Sequence, residues 1–156
     1  MKNRKIFFAL LAVLMLTFPT AALPFYVPAG AGVKGLGRAN VQAIESEFSA
    51  MEQAALLFRT EDYAGANNLE EGVNHVANLS NYTDAPGRYT DTERYGLLVD
   101  SRGWWLGVAV PKADSMREHI VQAAPGKGWL GSRDTFTPPG KAAFQTKDEI
   151  VWKLFR

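Results

Sequence analysis

ANVQAIESEFSAMEQAALLFR, Ala39 to Arg59, decides how the rest of this 156-residue chain is read. Val41, Ile44, Phe48, Met51, Ala55 and Phe58 recur at spacings of 3, 4, 3, 4 and 3, with Glu45, Glu47, Glu52 and Gln53 between them. A 3.6-residue repeat gathers the six apolar side chains on one stripe of an α-helix and leaves the polar residues on the rest of its surface. At the standard rise and repeat this is a helix of about six turns. A stripe of that length has to be covered, so the six residues are read as the packing face of a helix laid on other elements of the same chain.

The cover is expected from the C-terminal half. YGLLVDSRGWWLGVAV, Tyr95 to Val110, has β-type residues on both sides of Asp100-Ser-Arg-Gly103, which predicts a hairpin with strands Tyr95–Val99 and Trp104–Val110. Gly96 and Gly107 mark bulges or close packing. Ser115-x-x-Glu118 fits a capping box opening a helix with Met116, Ile120 and Val121 inward, and Pro125-Gly126 is expected to end it. In the closing EIVWKLFR, Ile150, Trp152 and Leu154 alternate with Val151, Lys153 and Phe155, the pattern of a strand buried on one face and partly covered on the other.

Between the long helix and the hairpin the signals are weaker. Glu61–Asn68 reads as a loop, Leu69–Leu79 as a short helix with Leu69, Val73 and Val76 on one face and Asn67 or Asn68 as cap, and Asn81–Glu93 as polar turn around Pro86-Gly87. The fold class that follows is α+β: a long N-terminal amphipathic helix packed on a small antiparallel sheet, with a short helix before the last strand.

The N-terminus carries the targeting information. Lys2, Arg4 and Lys5 precede the apolar run Ile6–Phe18, and Thr20-Ala21-Ala22 supplies small side chains ahead of a cut between Ala22 and Leu23. The run is 13 residues long, short of the roughly 20 that a spanning helix needs. No charge falls between Lys5 and Lys34, which leaves an uncleaved anchor open, although Pro19, Pro24 and Pro28 each remove a backbone donor from such a helix. The expected organisation is a signal peptide or N-terminal membrane anchor over 1–22, a Pro/Gly-rich linker over 23–38 and one globular domain over 39–156. The protein is then exported, either periplasmic or held in the inner membrane with its domain outside the cytoplasm.

With no cysteine there is neither a disulfide framework nor a lipid-attachment thiol. Removing residues 1–22 takes three of the 17 basic residues and none of the 16 acids, leaving 14 against 16, or −2. That balance points away from nucleic acid as a partner.

No catalytic, cofactor-binding or metal residue is assigned. His75 and His119 are the only histidines, each without a second at ligand spacing. Ser101 and Ser115 lack a nucleophile setting such as G-x-S-x-G. GAGVKGLG, Gly30 to Gly37, lacks the phosphate-loop spacing and a preceding strand, and reads as a hinge. Trp104 and Trp105 are adjacent on a strand and face opposite ways, so they do not make one stacking platform. Asp134, Asp148 and Glu149 follow no calcium-loop pattern. Asn78 and Asn81 each open a glycosylation triplet.

RANVQAIESEFSAMEQAALLFRTED, YGLLVDSRGWWLGVAV, MREHIVQAAPGKGWLGS and DEIVWKLFR together resemble the globular part of bacterial type IV pilin-like proteins, the pilins and the pseudopilins of type II secretion systems. The resemblance lies in the order of elements over roughly residues 38–156. It implies a subunit that assembles with other pilin-like or secretion-system subunits, without cofactor and without catalysis, and meets the inner membrane through its N-terminus if that is uncleaved. The family's processing signal, a glycine before an aromatic start with an acid at the fifth mature position, is missing: Lys5-Ile6-Phe7-Phe8 has no glycine, and the first acid is Glu45. A soluble periplasmic small-ligand-binding or sensory domain is the alternative expectation.

Overall fold

A computed structural model describes residues 33–85, 87–112 and 114–156, and their side chains except those of 33–39, 114 and 115. Helix α1 is Val33–Glu61, followed by a short α2 at Tyr63–Asn67 and 3-10 turns at Val76–Tyr82 and Arg88–Thr90. Strands β1 (Tyr95–Asp100) and β2 (Gly103–Ala109), helix α3 (Asp114–Lys127), and strands β3 (Leu130–Ser132) and β4 (Ile150–Phe155) complete the chain. The sheet has the order β1-β2-β4-β3 with every neighbouring pair antiparallel. A helix packed on a four-stranded antiparallel sheet makes the protein α+β. The cleavage point at Ala22 and Leu23 lies outside the described residues, as does the 23–32 part of the linker; the backbone of 33–38, assigned to that linker, is helical.

The hairpin forms because its turn is locally determined. Asp100 pairs with Gly103 across a two-residue turn, and the Asp100 Oδ1 accepts from the Arg102 amide at 2.8 Å. Gly103 has φ +133°, which side-chain-bearing residues seldom adopt. Register is continuous from Tyr95↔Val108 to Asp100↔Gly103, so Gly96 and Gly107 mark no bulge.

Pairing alternation sends Leu97, Leu106, Val108 and Val151 to one face, where they join Ile44, Phe48, Met51 and Phe58 of α1 in the main core. The opposite face carries a second cluster of Leu98, Trp105, Ile150 and Trp152. The terminal strand is therefore internal, between β2 and the three-residue β3, and apolar on both faces.

Several expectations are corrected. The loop expected over Glu61–Asn68 contains α2, because the Asp62 carboxylate accepts from the Gly65 amide at 2.9 Å and starts a new helical turn. The helix expected over Leu69–Leu79 is absent: Gly72 at φ +78° breaks the path, and only the 3-10 turn Val76–Tyr82 follows. Asn67 and Asn68 do not cap it; their side-chain amides donate back to the Tyr63 and Ala64 carbonyls.

Pro125 does not end α3, which runs on to Lys127 and closes when Gly128, at φ +65°, lets the Trp129 amide reach the Ala124 carbonyl at 3.0 Å. A proline one turn from the end forfeits a single intrahelical bond, which the closing pair offsets. The helix starts at Asp114, so Ser115 is inside it rather than at its cap, and the Ser115 side chain lies outside the description. Strand β3 stands between α3 and the last strand.

Candidate interaction surfaces

Ile44, Phe48, Met51, Ala55 and Phe58 are all buried, and Val41 is half-buried against the same core. Phe48 meets Trp129 at 5.7 Å between ring centroids, and Phe58 meets Trp104 at 5.8 Å and Tyr82 at 5.4 Å. The flanks of α1 are tied by charge. Glu47 accepts from Arg88 at 2.8 Å and from the Tyr95 hydroxyl at 3.3 Å; Glu52 meets Lys153 at 2.7 Å, and Glu45 meets Lys127. These are exposed or half-exposed pairs except for Glu47, whose side chain is only 12% exposed. Burial alone would lower the Arg88 pKa, but the Glu47 carboxylate beside it more than reverses this and leaves it raised.

The free edge of β1 is covered by a side chain. Asn74 Oδ1 accepts from the Leu97 amide at 2.9 Å, its Nδ2 donates to the Tyr95 carbonyl at 2.9 Å, and the His75 amide donates to the Leu97 carbonyl at 2.8 Å. A short polar segment so placed imitates a strand and occupies groups that would otherwise template another chain.

The outer face of the sheet is closed by the β3–β4 loop. Arg102 lies 4.6 Å from the Trp105 ring and donates to the Pro139 and Gly140 carbonyls at 2.7 and 3.2 Å, while the Thr135 hydroxyl donates to the Thr92 carbonyl. Arg59 lies over Trp104 and Phe155 on the other side, at 5.5 and 5.3 Å. Each tryptophan of the pair is thus roofed by its own guanidinium, on opposite faces. They line no common pocket.

The chemistry-bearing residues remain apart. His75 is half-buried, with Nε2 2.9 Å from the Glu70 carbonyl oxygen, and His119 is half-buried on α3. Asp134 accepts from the amides of Phe136 and Thr137, Asp148 from the Gln145 amide, and Glu149 pairs with Lys112 at 3.2 Å, so each acid serves its own turn or edge. Among the described residues no three histidines, aspartates or glutamates gather as a metal site. Ser101 sits exposed in the hairpin turn, and Asn78 and Asn81 are exposed on the 3-10 turn.

Arg117 is 8% exposed and its guanidinium is spent on three carbonyls, those of Pro111, Thr146 and Asp148. Neither this clamp nor the Asn74 edge is readable from spacing, because both partners are remote in sequence.

What is left unclaimed is apolar surface. Leu56, Leu57, Tyr63, Val73 and Phe136 are the large exposed apolar side chains among the described residues, and four of them fall between 56 and 73. No protein-family model matches the chain, nor does any curated protein or solved structure.

Proposed function

We propose that the protein is a non-enzymatic pilin- or pseudopilin-like subunit, exported or anchored in the inner membrane by its N-terminus, acting through protein–protein assembly at the cell envelope. The observation that supports it is the way α1 is used. Its apolar stripe from Ile44 to Phe58 is consumed by the core of the domain, against the sheet, α3 and the 3-10 turn Val76–Tyr82, while the sequence N-terminal to it is uncharged from residue 6 to 33. A head held on one end of a long amphipathic helix, with an apolar leader at the other, suits a subunit delivered to a membrane and assembled there. Its partners are other pilin-like or secretion-system subunits.

N-terminal sequencing of the mature protein, with fractionation of the envelope, tests the reading. A start near Phe7 or at Met1, in the membrane fraction and cross-linked to like subunits, is the expected result for an assembled or anchored subunit. A start at Leu23 with the protein free in the soluble periplasm and uncross-linked overturns it in favour of a free domain.

A further inference from the structure

The outer face of the sheet has no helix to cover it. Its cluster of Leu98, Trp105, Ile150 and Trp152 consists of strand residues, as do the half-buried side chains packed on it, yet Trp105 is only 4% exposed. What reaches this side is the β3–β4 loop, through the stretch FTPPGKA, Phe136 to Ala142. Both ends of the stretch are held. Thr135, 2% exposed, donates its hydroxyl to the Thr92 carbonyl; Ala143 bridges to Leu130, and the amide of the fully buried Phe144 donates to the Trp129 carbonyl at 3.1 Å.

Between those ends the stretch hangs on one side chain. Phe136 and Thr137 bond back only to Asp134, and of residues 136–142 only Pro139 is buried. The tie to the rest of the domain is Arg102, whose Nη2 donates to the Pro139 carbonyl at 2.7 Å and whose Nη1 donates to that of Gly140 at 3.2 Å. The guanidinium is itself set by Asp100, whose Oδ2 accepts from Nε at 2.8 Å and from Nη2 at 2.5 Å, and it lies 4.6 Å from the centroid of the Trp105 ring. The Trp105 Nε1 donates to the other oxygen of the same carboxylate at 3.0 Å. Beyond Asp134, the Arg102 fork makes the polar links that residues 136–142 have among the described residues. A segment with two strong ends, little buried area and one central tie opens at a lower free energy than the domain unfolds.

We propose that residues 136–142 are a strap over the outer face of the sheet, swinging about Thr135 and Ala143 while the domain stays folded, with the Asp100–Arg102 pair as its latch. Closed, the strap buries Pro139 and takes up two donors of Arg102. Open, it leaves a guanidinium stacked on an indole with those donors free, a surface that the closed strap withholds from any other carbonyl-bearing segment. The device is independent of whether the chain assembles with others.

The test is thiol labelling of the full chain, which has no cysteine of its own, so that one introduced thiol reports one place. Pro139→Cys puts the thiol at the buried residue of the strap and keeps the carbonyl that Arg102 binds. Val151→Cys, 0% exposed in the main core on β4, reports unfolding of the whole domain. Each is labelled with an aromatic disulfide reagent across low urea concentrations, with and without Arg102→Gln, and its rate is divided by that of the same variant fully unfolded. The Pro139→Cys thiol should react at least about a hundredfold faster than the Val151→Cys thiol, at a rate nearly indifferent to urea, because local opening exposes little surface. Arg102→Gln should speed the first at least about tenfold further, through the loss of two charge-assisted bonds, and the second only as far as the shift in its own unfolding midpoint accounts for. Equal rates with the same urea dependence would show that the strap moves only when the domain unfolds, and a Pro139→Cys thiol as reactive as in the unfolded chain would show that it is never closed; either overturns the proposal. So does a Pro139→Cys rate that ignores Arg102→Gln, since the latch is then elsewhere. The comparison of the two thiols leaves Arg102 intact and decides the matter even if Arg102→Gln fails to fold.

Discussion

The indole of Trp152 lies flat against Gly107, so that a Cβ built on that glycine would stand 2.6 Å from the ring. Gly96 on the neighbouring strand is under the same ring, at 2.5 Å, and the indole Nε1 donates to the Ser132 hydroxyl at 2.7 Å. One side chain from β4 thereby spans β2 and β1 on the outer face and is fixed at its polar end by β3. The glycines are there for the close approach of an aromatic ring to backbone.

Gly107→Ala therefore forces a rigid, fully buried ring to move. The expected cost is about 1–3 kcal/mol, the range for overpacking a tight core, seen as a fall in thermal midpoint with an unchanged far-ultraviolet spectrum. Gly126→Ala is the matched control: a Cβ there meets nothing within 4 Å, the residue is within α3, and a gain of about 0.5–1 kcal/mol is expected. Equal effects at the two positions would show that the ring does not set the constraint.

Tyr89 carries a hydroxyl that is buried with no hydrogen-bond partner, in a ring that meets Tyr95 edge-on at 5.2 Å. Burial pushes its pKa up to about 12, only partly opposed by the Arg88 charge. Because the folded value lies above the unfolded one near 10, the folded state binds the proton more tightly between the two. Stability is then at its full value below pH 10 and declines as pH rises toward 12. Tyr89→Phe should keep or raise stability at pH 7, by up to about 1 kcal/mol, and flatten the alkaline decline. Denaturant melts at pH 7 and pH 11 decide this; a variant destabilised at pH 7 would mean the hydroxyl has a partner.

How far the sequence carries depends on whether the forces are local. The hairpin around Asp100-Ser-Arg-Gly103 was legible because its turn residues and flanking alternation act within a few positions, and the α+β class followed from it. Tyr89 was hidden in a run of polar turn residues, since its burial comes from the packing of its turn on the 3-10 turn Val76–Tyr82 and on Tyr95, which the polar composition of the run does not announce. The 69–79 helix failed for a local and a remote reason together: Gly72 at φ +78° breaks the path, and Asn74 finds its partners on the edge of β1. Leu56 and Leu57 were visible only as residues that the stripe left out, and Val73 as part of an expected helix face; it took burial to show all three exposed among the described residues.

Asp100 is held by the turn it builds. Burial opposes its ionisation, but hydrogen bonds from Arg102 and Trp105 outweigh that and hold its carboxyl below the usual range. Asp134 is lowered similarly: burial opposes ionisation, and bonds from Phe136 and Thr137 exceed it. A depressed folded value means that the stabilisation is present above the unfolded pKa near 3.9 and is lost as pH falls through the folded one. Asp100→Asn should be less stable than wild type at pH 7, with the gap closing below about pH 3. Equilibrium unfolding across pH 7 to 2 checks it; a gap that is constant with pH would assign the loss to the turn's shape and not to charge.

Arg117→Lys tests the clamp between α3 and the turn before β4. A lysine ammonium presents one point charge and cannot donate from a planar fork to the Pro111, Thr146 and Asp148 carbonyls together. Two of these part-buried acceptors then lose their donor, at an expected total of about 1–3 kcal/mol. Chemical denaturation of the variant reads the loss directly, and hydrogen exchange should show it concentrated in residues 144–149. A wild-type midpoint would mean that solvent reaches these carbonyls without the guanidinium.

Phe48→Asp places the whole arrangement under test. Phe48 is 1% exposed, at the middle of the α1 stripe and against Trp129, so the new carboxylate is cut off from water. Ionised, it costs several kcal/mol; neutral, it still leaves a cavity where the ring was, and either route takes a large share of the ~5–15 kcal/mol that holds a domain of this kind. The variant is expected to lose cooperative melting and the fluorescence of a buried Trp129. Leu57→Asp, nine residues on and 43% exposed on the same helix, should melt within about 0.5 kcal/mol of wild type. The pair separates a helix whose apolar stripe is the floor of the core from one that merely has the pattern, because only the first tolerates a charge at Leu57 and fails with one at Phe48.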